Sequence, residues 1–472
     1  MQITKKYIAV IISVGCTIIH AQDTLRLNLE QCREMAIQNS ETIKIADETI
    51  NKASGEKTAA RSAWLPNISA SANGIYNNTH IEEELYLPTQ VYDPSTGQLV
   101  PNVVVDPSTG NPVIGPDGNP VFNSYAYLPL DLTIYGGALA GISVEQPLYA
   151  GGKIIAGNKM ASIGENMAVN NKQLKKSEII YETDQTYYLY LSIKEKVILA
   201  KKYQQLLDEL VKVVNNSYET GMTNRNELLK VQVKYNEATL QVQKAQTGLE
   251  LARMSLCRII GLALDSPVEI DDSIGTTISS AGSENMAIVT NRIEYKLLQD
   301  QVEIAEQNIK MVRGNYLPVA GIAAGYNHLV IGLEDADNYT SQGMSVMVSL
   351  KIPITHFGER KGKIKAARAE YNMRQLELQQ AEELLHLEIE QARLNYNDAY
   401  TRVEIAHTAL EQADENMRIS DDNYNLGMEP IVNLLEAKAE WQNAYSNLID
   451  ALTDFKVKES NLLRVTNKLN VE

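Results

Sequence analysis

Tyr218-Glu-Thr-Gly221-Met222 recurs 206 residues later as Tyr424-Asn-Leu-Gly427-Met428, so one stretch of this chain is present twice. The same shift relates Leu228-Leu229 to Leu434-Leu435. Glycine is the residue that most readily adopts the left-handed conformation that ends a helix, so both stretches indicate a turn between two helices. An internal duplication on this scale predicts two structurally equivalent halves.

The two copies differ by one insertion. Arg61-Ser-Ala-Trp64-Leu65-Pro66 matches Arg313-Gly-Asn-Tyr316-Leu317-Pro318 at a shift of 252 residues, so the first copy contains 46 additional residues. We predict a first repeat over 22–262, a linker over 263–283 and a second repeat over 284–472. The insertion contains three closely spaced turn signals, and we predict a long loop over 78–136 that includes a small hairpin.

Each copy is predicted to contain a helix, two strands, a very long helix, a turn and a shorter helix. The first helix is expected over 29–63, with Asn28 as its N-cap and Gln31 as the partner in a capping box. The long helix, from Lys153 to Ser217, would measure about 95 Å at 1.5 Å per residue. Proline disfavours continuation of a helix. The helix–strand junctions are therefore predicted at Pro66, Pro147, Pro318 and Pro353.

The predicted strands have one apolar face and one polar face. Met344, Val346 and Val348 alternate with Ser345, Met347 and Ser349, which is the period of two that is typical of a strand. The same alternation occurs over 67–74 and over 137–148. The sequence therefore predicts four amphipathic strands, two in each copy.

The shorter helices contain a sustained apolar repeat. In the first copy its members are separated by alternating steps of four and three residues, and the second copy repeats the pattern from Ala437 to Phe455. A period of 3.5 residues predicts helices packed side by side as coiled coils. The members in the first copy are Val231, Tyr235, Ala238, Val242, Ala245, Leu249 and Ala252.

The N-terminus has the pattern of a secretory signal peptide. Lys5-Lys6 precede an apolar run that ends near Ala21, where cleavage is expected, so residues 1–21 would be removed. Lipidation at Cys16 is the alternative. The formal net charge of −16 disfavours a nucleic-acid partner. Cys32 and Cys257 are interpreted as small buried apolar residues rather than as a disulfide. No cofactor or metal site is predicted, because the six histidines are scattered.

Four amphipathic strands are too few to close into a membrane barrel by themselves. Open sheet edges are not tolerated in hydrocarbon, and bacterial outer-membrane barrels contain at least about eight strands. The strands would therefore either combine with those of other copies or form an ordinary soluble sheet. We favour the first interpretation, because no separate segment is available to cover such a sheet.

These features together resemble the TolC-like outer membrane efflux proteins. The duplication, the two Leu-Pro junctions, Gln146–Gly152 and the two turns occur in the order of that family. The resemblance implies a mainly α protein with membrane β-strands. In a homotrimer, four strands per protomer would complete a 12-stranded transmembrane β-barrel, continued by a long coiled-coil α-helical barrel. It also implies a location in the outer membrane extending into the periplasm, contact with outer membrane lipid, and a periplasmic adaptor and inner-membrane pump as partners.

The resemblance also implies roles for residues near the two turns. The adaptor-contacting tips would be Gly221, Met222, Gly427 and Met428. The residues that close the periplasmic end would be Tyr424, Glu227, Asn433 and Glu436, with a hydrogen bond between the tyrosine and the Glu227 carboxylate. The family's basic residue two positions after the second glycine is replaced by Glu429.

The function implied is passive export through an outer-membrane channel of a tripartite efflux or type I secretion system, without enzymatic activity. Two alternative functions are considered for the same sequence. A periplasmic adaptor would have one helical hairpin with flanking β-domains, and an exported coiled-coil structural protein would not need alternating strands bounded by prolines.

Overall fold

The computed structural model describes residues 25–275, 289–334 and 337–469. The predicted signal peptide and part of the predicted linker lie outside these residues. The chain divides into two compact units. The helical unit contains the residues up to Thr58, Asn158–Ile309 and those from Lys365 onward, whereas the sheet unit contains Ala59–Gly157 and Lys310–Ile364.

The first predicted helix is divided into two. Helix α1 covers Leu29–Asn39 and α2 covers Glu41–Ser62, so the prediction of one continuous helix over 29–63 was wrong. The capping box of Asn28 and Gln31 is present at the start of α1. The break occurs because Ser40 is extended, and its hydroxyl accepts a hydrogen bond from the Ile43 amide at 3.4 Å, as at a helix N-terminus.

The two copies contain long helices of equal length. Helix α3, Lys153–Glu219, and its counterpart α6, Glu359–Asn425, each have 67 residues. At 1.5 Å per residue each is about 100 Å long. The shorter helices that follow the turns are α4, Arg225–Ile260, and α7, Ile431–Val465. Helix α5, Ile293–Gly314, precedes the strands of the second copy.

The core of the helical unit is formed largely by the predicted apolar repeats. Val231, Ala238, Val242 and Ala252 of this repeat are buried in α4, and Ala437, Trp441, Leu448 and Phe455 of the repeat are buried in α7. Cys32 and Cys257 are buried, unpaired residues of one hydrophobic cluster, as predicted. Burial, as the main cause, raises the pKa of the Cys32 thiol to about 12, so this thiol is unreactive at neutral pH.

A buried ion pair connects three helices of this unit and was not predicted. Arg33 of α1 donates two hydrogen bonds, of 2.6 and 2.7 Å, to the Asp184 carboxylate of α3. The Ser460 hydroxyl of α7 donates to the same carboxylate. Because the Asp184 side chain is fully buried, these partners satisfy a charge that would otherwise be strongly destabilising.

The main sheet of the sheet unit is antiparallel and has four long strands, in the order β2-β5-β7-β8, whose bounds are given below. A short parallel pair in the helical unit joins β1, Leu25–Arg26, to β6, Val268–Glu269. The bounds of the four long strands are Asn67–Pro88 for β2, Tyr125–Ala150 for β5, Val319–Leu333 for β7 and Tyr339–Lys351 for β8.

The prediction of a loop over 78–136 was wrong. Strand β2 continues to Pro88 and β5 begins at Tyr125, and the two remain paired along this length. The three glutamates at 82–84 do not prevent this pairing, because both sides of the two strands are exposed in the single chain. Only residues 89–124 lie outside the long strands, and they include the hairpin of β3, Gln90–Asp93, with β4, Gln98–Pro101.

Three of the four predicted proline junctions coincide with the ends of strands. Pro66 and Pro318 directly precede β2 and β7, and Pro353 follows β8. Pro147 instead lies inside β5, which ends at Ala150. The register between β5 and β7 shifts between Pro147 and Tyr149, because proline has no amide hydrogen to donate to the ladder.

The register confirms the two faces of the predicted strands. One transverse row contains Ile68, Val144, Ala324 and Val346, and we name this side of the sheet the valine face. The adjacent row on the opposite side contains Ser69, Ser143, Gly325 and Ser345, and we name that side the serine face. On the serine face the hydroxyls of Ser69 and Ser143 are hydrogen-bonded at 2.9 Å.

Among the helices of the described part of the chain, none is both long enough and apolar enough to cross a membrane.

Candidate functional site

The two helical turns have the same backbone geometry. In the first, the Gly221 amide donates to the Tyr218 carbonyl at 3.0 Å and the Met222 amide donates to Ser217 at 2.8 Å. In the second, the same two bonds join Gly427 to Tyr424 and Met428 to Asn423, also at 3.0 and 2.8 Å. This paired pattern is the Schellman motif that ends a helix.

Glycine is required in these turns for its conformation and not for space. The φ angles are 77° at Gly221 and 73° at Gly427, and an added Cβ would meet no atom within 4 Å at either residue. The neighbouring Met222 and Met428 are 84% and 75% exposed. Each turn therefore presents an unpartnered apolar side chain at the end of its hairpin.

An apolar cluster, here called the tip cluster, packs beneath the turns and joins the two hairpins. Its most buried members come from three different helices: Leu207 and Val214 of α3, Val231 of α4, and Leu434 of α7 are all completely buried. Tyr424 of α6 packs against it as a partly buried residue. The complete set of buried members is Tyr203, Leu207, Leu210, Val214, Leu228, Val231, Ala238, Ile431, Leu434 and Leu435.

Tyr424 lies close enough to Glu227 for the carboxylate to influence its titration. Burial, and secondly the negative charge of Glu227, raise the pKa of Tyr424 above its ordinary value. The Glu227 carboxylate accepts a hydrogen bond from the Thr223 hydroxyl. Within the described part of this single chain no hydrogen bond joins Glu227 to Tyr424, so the expected contact is a proximity here and not a bond.

The other predicted residues of this site lie on the exposed face of α7. Asn433 and Glu436 are exposed, and the leucines between them point into the tip cluster. Glu436 has no ion pair among the residues that the structure describes. Glu429, at the position where the family has a basic residue, accepts a 3.4 Å hydrogen bond from Ser420.

The contact between Lys438 and Asp421 was not predicted from the sequence. The Lys438 ammonium of α7 lies 3.1 Å from the Asp421 carboxylate of α6, and the lysine side chain is only 7% exposed. This ion pair joins the two helices of the second hairpin. The sequence contains no signal for it except that Lys438 lies between Ala437 and Trp441, which belong to the buried repeat.

A profile of the family described as "Outer membrane efflux protein" matches residues 32–262 and 296–468. The two matched segments cover most of the chain and correspond to its two copies. The chain belongs to the outer membrane efflux protein family. This membership confirms the resemblance inferred from the repeated turns and identifies the outer membrane as the location of the protein.

Two curated relatives are similar to this family member at low identity. The alkaline protease secretion protein AprF of Pseudomonas aeruginosa is 23% identical over 238 residues. That alignment covers 48% of each chain, so the chain spans about half the length of AprF. The outer membrane protein TolC of Vibrio cholerae serotype O1 is 18% identical over 332 residues, which are 67% of this chain and 73% of TolC.

Solved structures of several outer-membrane proteins have the same fold. CusC superposes with a TM-score of 0.72 at 13% identity, covering 93% of this chain and 91% of CusC. VceC of Vibrio cholerae gives 0.69 at 14% identity, with 93% and 95% coverage. The open state of MtrE from Neisseria gonorrhoeae gives 0.70 at 14% identity, with 94% and 90% coverage. These likenesses confirm the predicted fold class of long coiled helices with a β-sheet.

The tip cluster predicts that the two hairpins stabilise each other. Replacing the fully buried Leu434 by Ala removes apolar contacts and leaves a cavity, which destabilises a packed site by about 2–5 kcal/mol. We expect Leu434→Ala to accelerate tryptic cleavage after the exposed Arg225, because the tips open more often. Leu229→Ala, which truncates a side chain that is 47% exposed, is the matched control and should change the rate little. Equal rates for the two variants would contradict this role of the cluster.

Proposed function

We propose that three copies of this chain form a passive channel through the outer membrane that serves a tripartite efflux or type I secretion system. The observation that supports this most strongly is the state of the sheet. Within the described chain, β2 and β8 are the outer strands, and each pairs on one side only. An incomplete sheet of this kind, in a member of an outer-membrane family, requires further strands.

The valine face has the chemistry of a surface that contacts lipid. Met344, Val346, Val348 and Leu350 are 61–75% exposed in the single chain. From Met344 to Ile352 the apolar positions extend over about 27 Å of strand. At the tilt of about 40° that membrane-barrel strands have, this length spans about 21 Å along the membrane normal, which is most of an apolar band about 25 Å tall.

Trimer closure supplies the missing hydrogen bonds. A backbone amide or carbonyl without a partner costs several kcal/mol in hydrocarbon, so the outer edges of β2 and β8 must be paired there. Pairing β8 of one copy with β2 of the next closes a symmetric ring, and three copies of this sheet provide twelve strands. The valine face would then contact lipid, and the serine face would line the lumen.

The helical hairpins supply the periplasmic end of the proposed channel. The exposed Met222 and Met428, beside Gly221 and Gly427, are the proposed contacts for a periplasmic adaptor that links the channel to an inner-membrane pump. Tyr424, Glu227, Asn433 and Glu436 are the proposed gate. Packing of Tyr424 against the tip cluster supports this assignment, because a movement of the hairpin would displace it together with the cluster.

The proposed role is conduction and not catalysis. Small molecules and polypeptides are both proposed as cargo, since AprF is a protease secretion protein and the other relatives are channels. The choice of cargo would belong to the pump and the adaptor.

The assignment of the valine face to lipid can be tested by arginine substitution. An arginine on the lipid face of a membrane barrel costs about 2–4 kcal/mol near the bilayer midplane. Val346→Arg should therefore abolish trimers in the outer membrane, whereas Ser345→Arg, the adjacent position on the serine face, should largely preserve them. The fraction of trimer on a native gel of membrane extracts measures the difference. Equal loss in both variants would contradict the assignment of the faces.

The proposed gate predicts a dependence of ion selectivity on Glu436. Three unpaired carboxylates near one axis attract cations and repel anions. In planar bilayers under a potassium chloride gradient, Glu436→Ala should shift the reversal potential toward zero. Glu237→Ala removes a carboxylate of α4 that is paired with Lys234 at 2.8 Å, and it serves as the control. If the reversal potential of Glu436→Ala equals that of the wild type, Glu436 does not line the constriction.

A further inference from the structure

The apolar side chains change from one face of the sheet to the other along the strands. Near the ends of the strands that connect to helices, the valine face is apolar, and its last apolar row contains Ala70, Ile142, Tyr326 and Met344. The next row on that face contains Ala72, Ala140, His328 and Gln342, and the one after it contains Gly74, Ala138, Val330 and Thr340. In these two rows, which lie farther from the helices than Met344, the side chains of the valine face are therefore mostly small or polar. Val330 is the one larger aliphatic residue among them.

The serine face changes in the opposite direction at the same level. Its rows of serine, glycine and asparagine give way to a row with Leu139 and Leu329, and then to one with Ile75, Ile331 and Tyr339. Ile75 is 69% and Leu139 is 42% exposed, so no other part of the described chain covers this surface. The apolar side of the sheet has thus moved from the lipid side to the lumen side.

A bulge extends this inverted pattern into a two-stranded ribbon. The register of β2 and β5 shifts between Tyr76 and Thr79, opposite Gly136. Gly136 has a φ of 138°, and a Cβ there would lie 2.1 Å from the Ile75 carbonyl oxygen, so only glycine fits. Beyond the bulge Ile134 pairs with both Thr79 and Leu333, which keeps these residues on the serine face.

The part of β2 and β5 beyond the bulge, residues 79–88 and 125–134, is named the outer ribbon. Its two sides differ strongly. The side continuous with the serine face, here called the apolar side, contains Ile81, Leu85, Leu87, Leu128 and Leu130, together with one acid, Glu83, opposite Leu130. The other side, here called the acidic side, contains His80, Glu82, Glu84, Asp131 and Thr133, together with the tyrosines Tyr86, Tyr125 and Tyr127.

The apolar side of the outer ribbon needs a partner. Leu85, Leu87, Leu128 and Leu130 are 38–49% exposed in the single chain. A two-stranded ribbon alone is marginally stable in water, and a contiguous exposed apolar surface marks an interaction site. Lipid does not suit this surface, because it continues the serine face, which is opposite to the side that the lipid would contact.

We propose that the outer ribbons of three copies of this chain pack against one another through their apolar sides and close the outer mouth of the channel. This inference rests on the proposed trimer. In a symmetric trimer the three serine faces point toward one axis, so each apolar side meets its own copies. The acidic side of every ribbon then remains in water, where Glu82, Glu84 and Asp131 keep their hydration.

Such packing would make the exit a second barrier, separate from the periplasmic gate. The contact is apolar and is formed by ribbons joined to the rest of the sheet at the bulge. Cargo that leaves the channel would have to separate the three ribbons, which would close again afterwards because their leucines return to contact.

Single cysteines on the two sides of the ribbon test the proposal in the full chain. Leu85→Cys lies on the apolar side, and Glu82→Cys lies on the acidic side three residues away. Cys32 and Cys257 are completely buried, and Cys16→Ser removes the third cysteine of the sequence, so the background is silent. In purified trimers and in intact outer membranes, Leu85→Cys should form cross-links between chains with a short bis-maleimide. A charged, impermeant maleimide should label Leu85→Cys roughly tenfold or more slowly than Glu82→Cys, because burial between copies limits access.

Each outcome of the cysteine experiment either supports or contradicts the packing of the ribbons. Trimers in which both cysteines label at the same rate and neither cross-links would overturn the packing of the ribbons while leaving the channel proposal intact. Protection of Leu85→Cys in membranes but not in purified trimers would assign the apolar side to another protein or to lipid, and would also overturn it. Absence of trimers altogether would overturn both proposals.

A conductance measurement gives an independent readout. Leu85→Glu combined with Leu128→Glu places like charges on the apolar sides of all three ribbons, so the outer mouth should open. We expect a higher single-channel conductance than for the wild type. Glu82→Gln combined with Glu84→Gln is the control on the acidic side and should leave the conductance unchanged. An unchanged conductance in the leucine variant, with intact trimers, would show that the ribbons do not close the exit.

Discussion

The unpaired edges of the four-stranded sheet are the constraint on which the rest of this structure depends. Strands β2 and β8 each have a row of backbone amides and carbonyls with no partner in the described chain. In water such an edge promotes association, and in hydrocarbon it is excluded. The apolar valine face adds a second requirement, because it is exposed in the single chain. The proposed trimer meets both requirements together, because neighbouring copies complete the sheet within the membrane.

The duplication explains how one chain provides both the strands and the helices in matched pairs. Two helices of 67 residues end in the same hydrogen-bonded turn, and each is followed by a shorter helix with the same apolar repeat. The two hairpins nevertheless differ where they meet. Leu434 and Leu435 are both buried in the tip cluster, whereas Leu228 is buried and its neighbour Leu229 is 47% exposed. The start of α7 therefore contributes two adjacent leucines to the tip cluster, where the start of α4 contributes one.

Local pattern was sufficient to predict much of this fold. Three predictions rest on patterns within a few neighbouring residues, and each was confirmed. They are the strand alternation around Val346, the apolar repeat along α4 and the glycines of the two turns. The position of Tyr424 near Glu227 was also predicted, from the resemblance to the family. The contacts that were missed join distant parts of the chain. The ion pairs Lys438–Asp421 and Arg33–Asp184 form because particular faces of two helices meet. Neither pair has a signal in the sequence around its own residues.

The extended β2 and β5 strands were missed for a different physical reason. Glu82, Glu83 and Glu84 resemble a solvated loop when one segment is considered alone. Their place in a ribbon becomes evident only from the register, which sets Leu85 opposite Leu128 on one side and Tyr86 opposite Tyr127 on the other. The inversion of the two faces is also a property of four strands together. A single strand shows only that its alternation continues, and not which side contacts lipid.

The number of chains in the native assembly tests the central claim most directly. Native mass spectrometry of the protein extracted from outer membranes in mild detergent counts the chains without any substitution. Completion of the sheet by neighbouring copies predicts a single species of three chains that loses its β-structure when it dissociates. A stable single chain or pair that retains the folded sheet would contradict the account, because the edges of β2 and β8 would then need no partner.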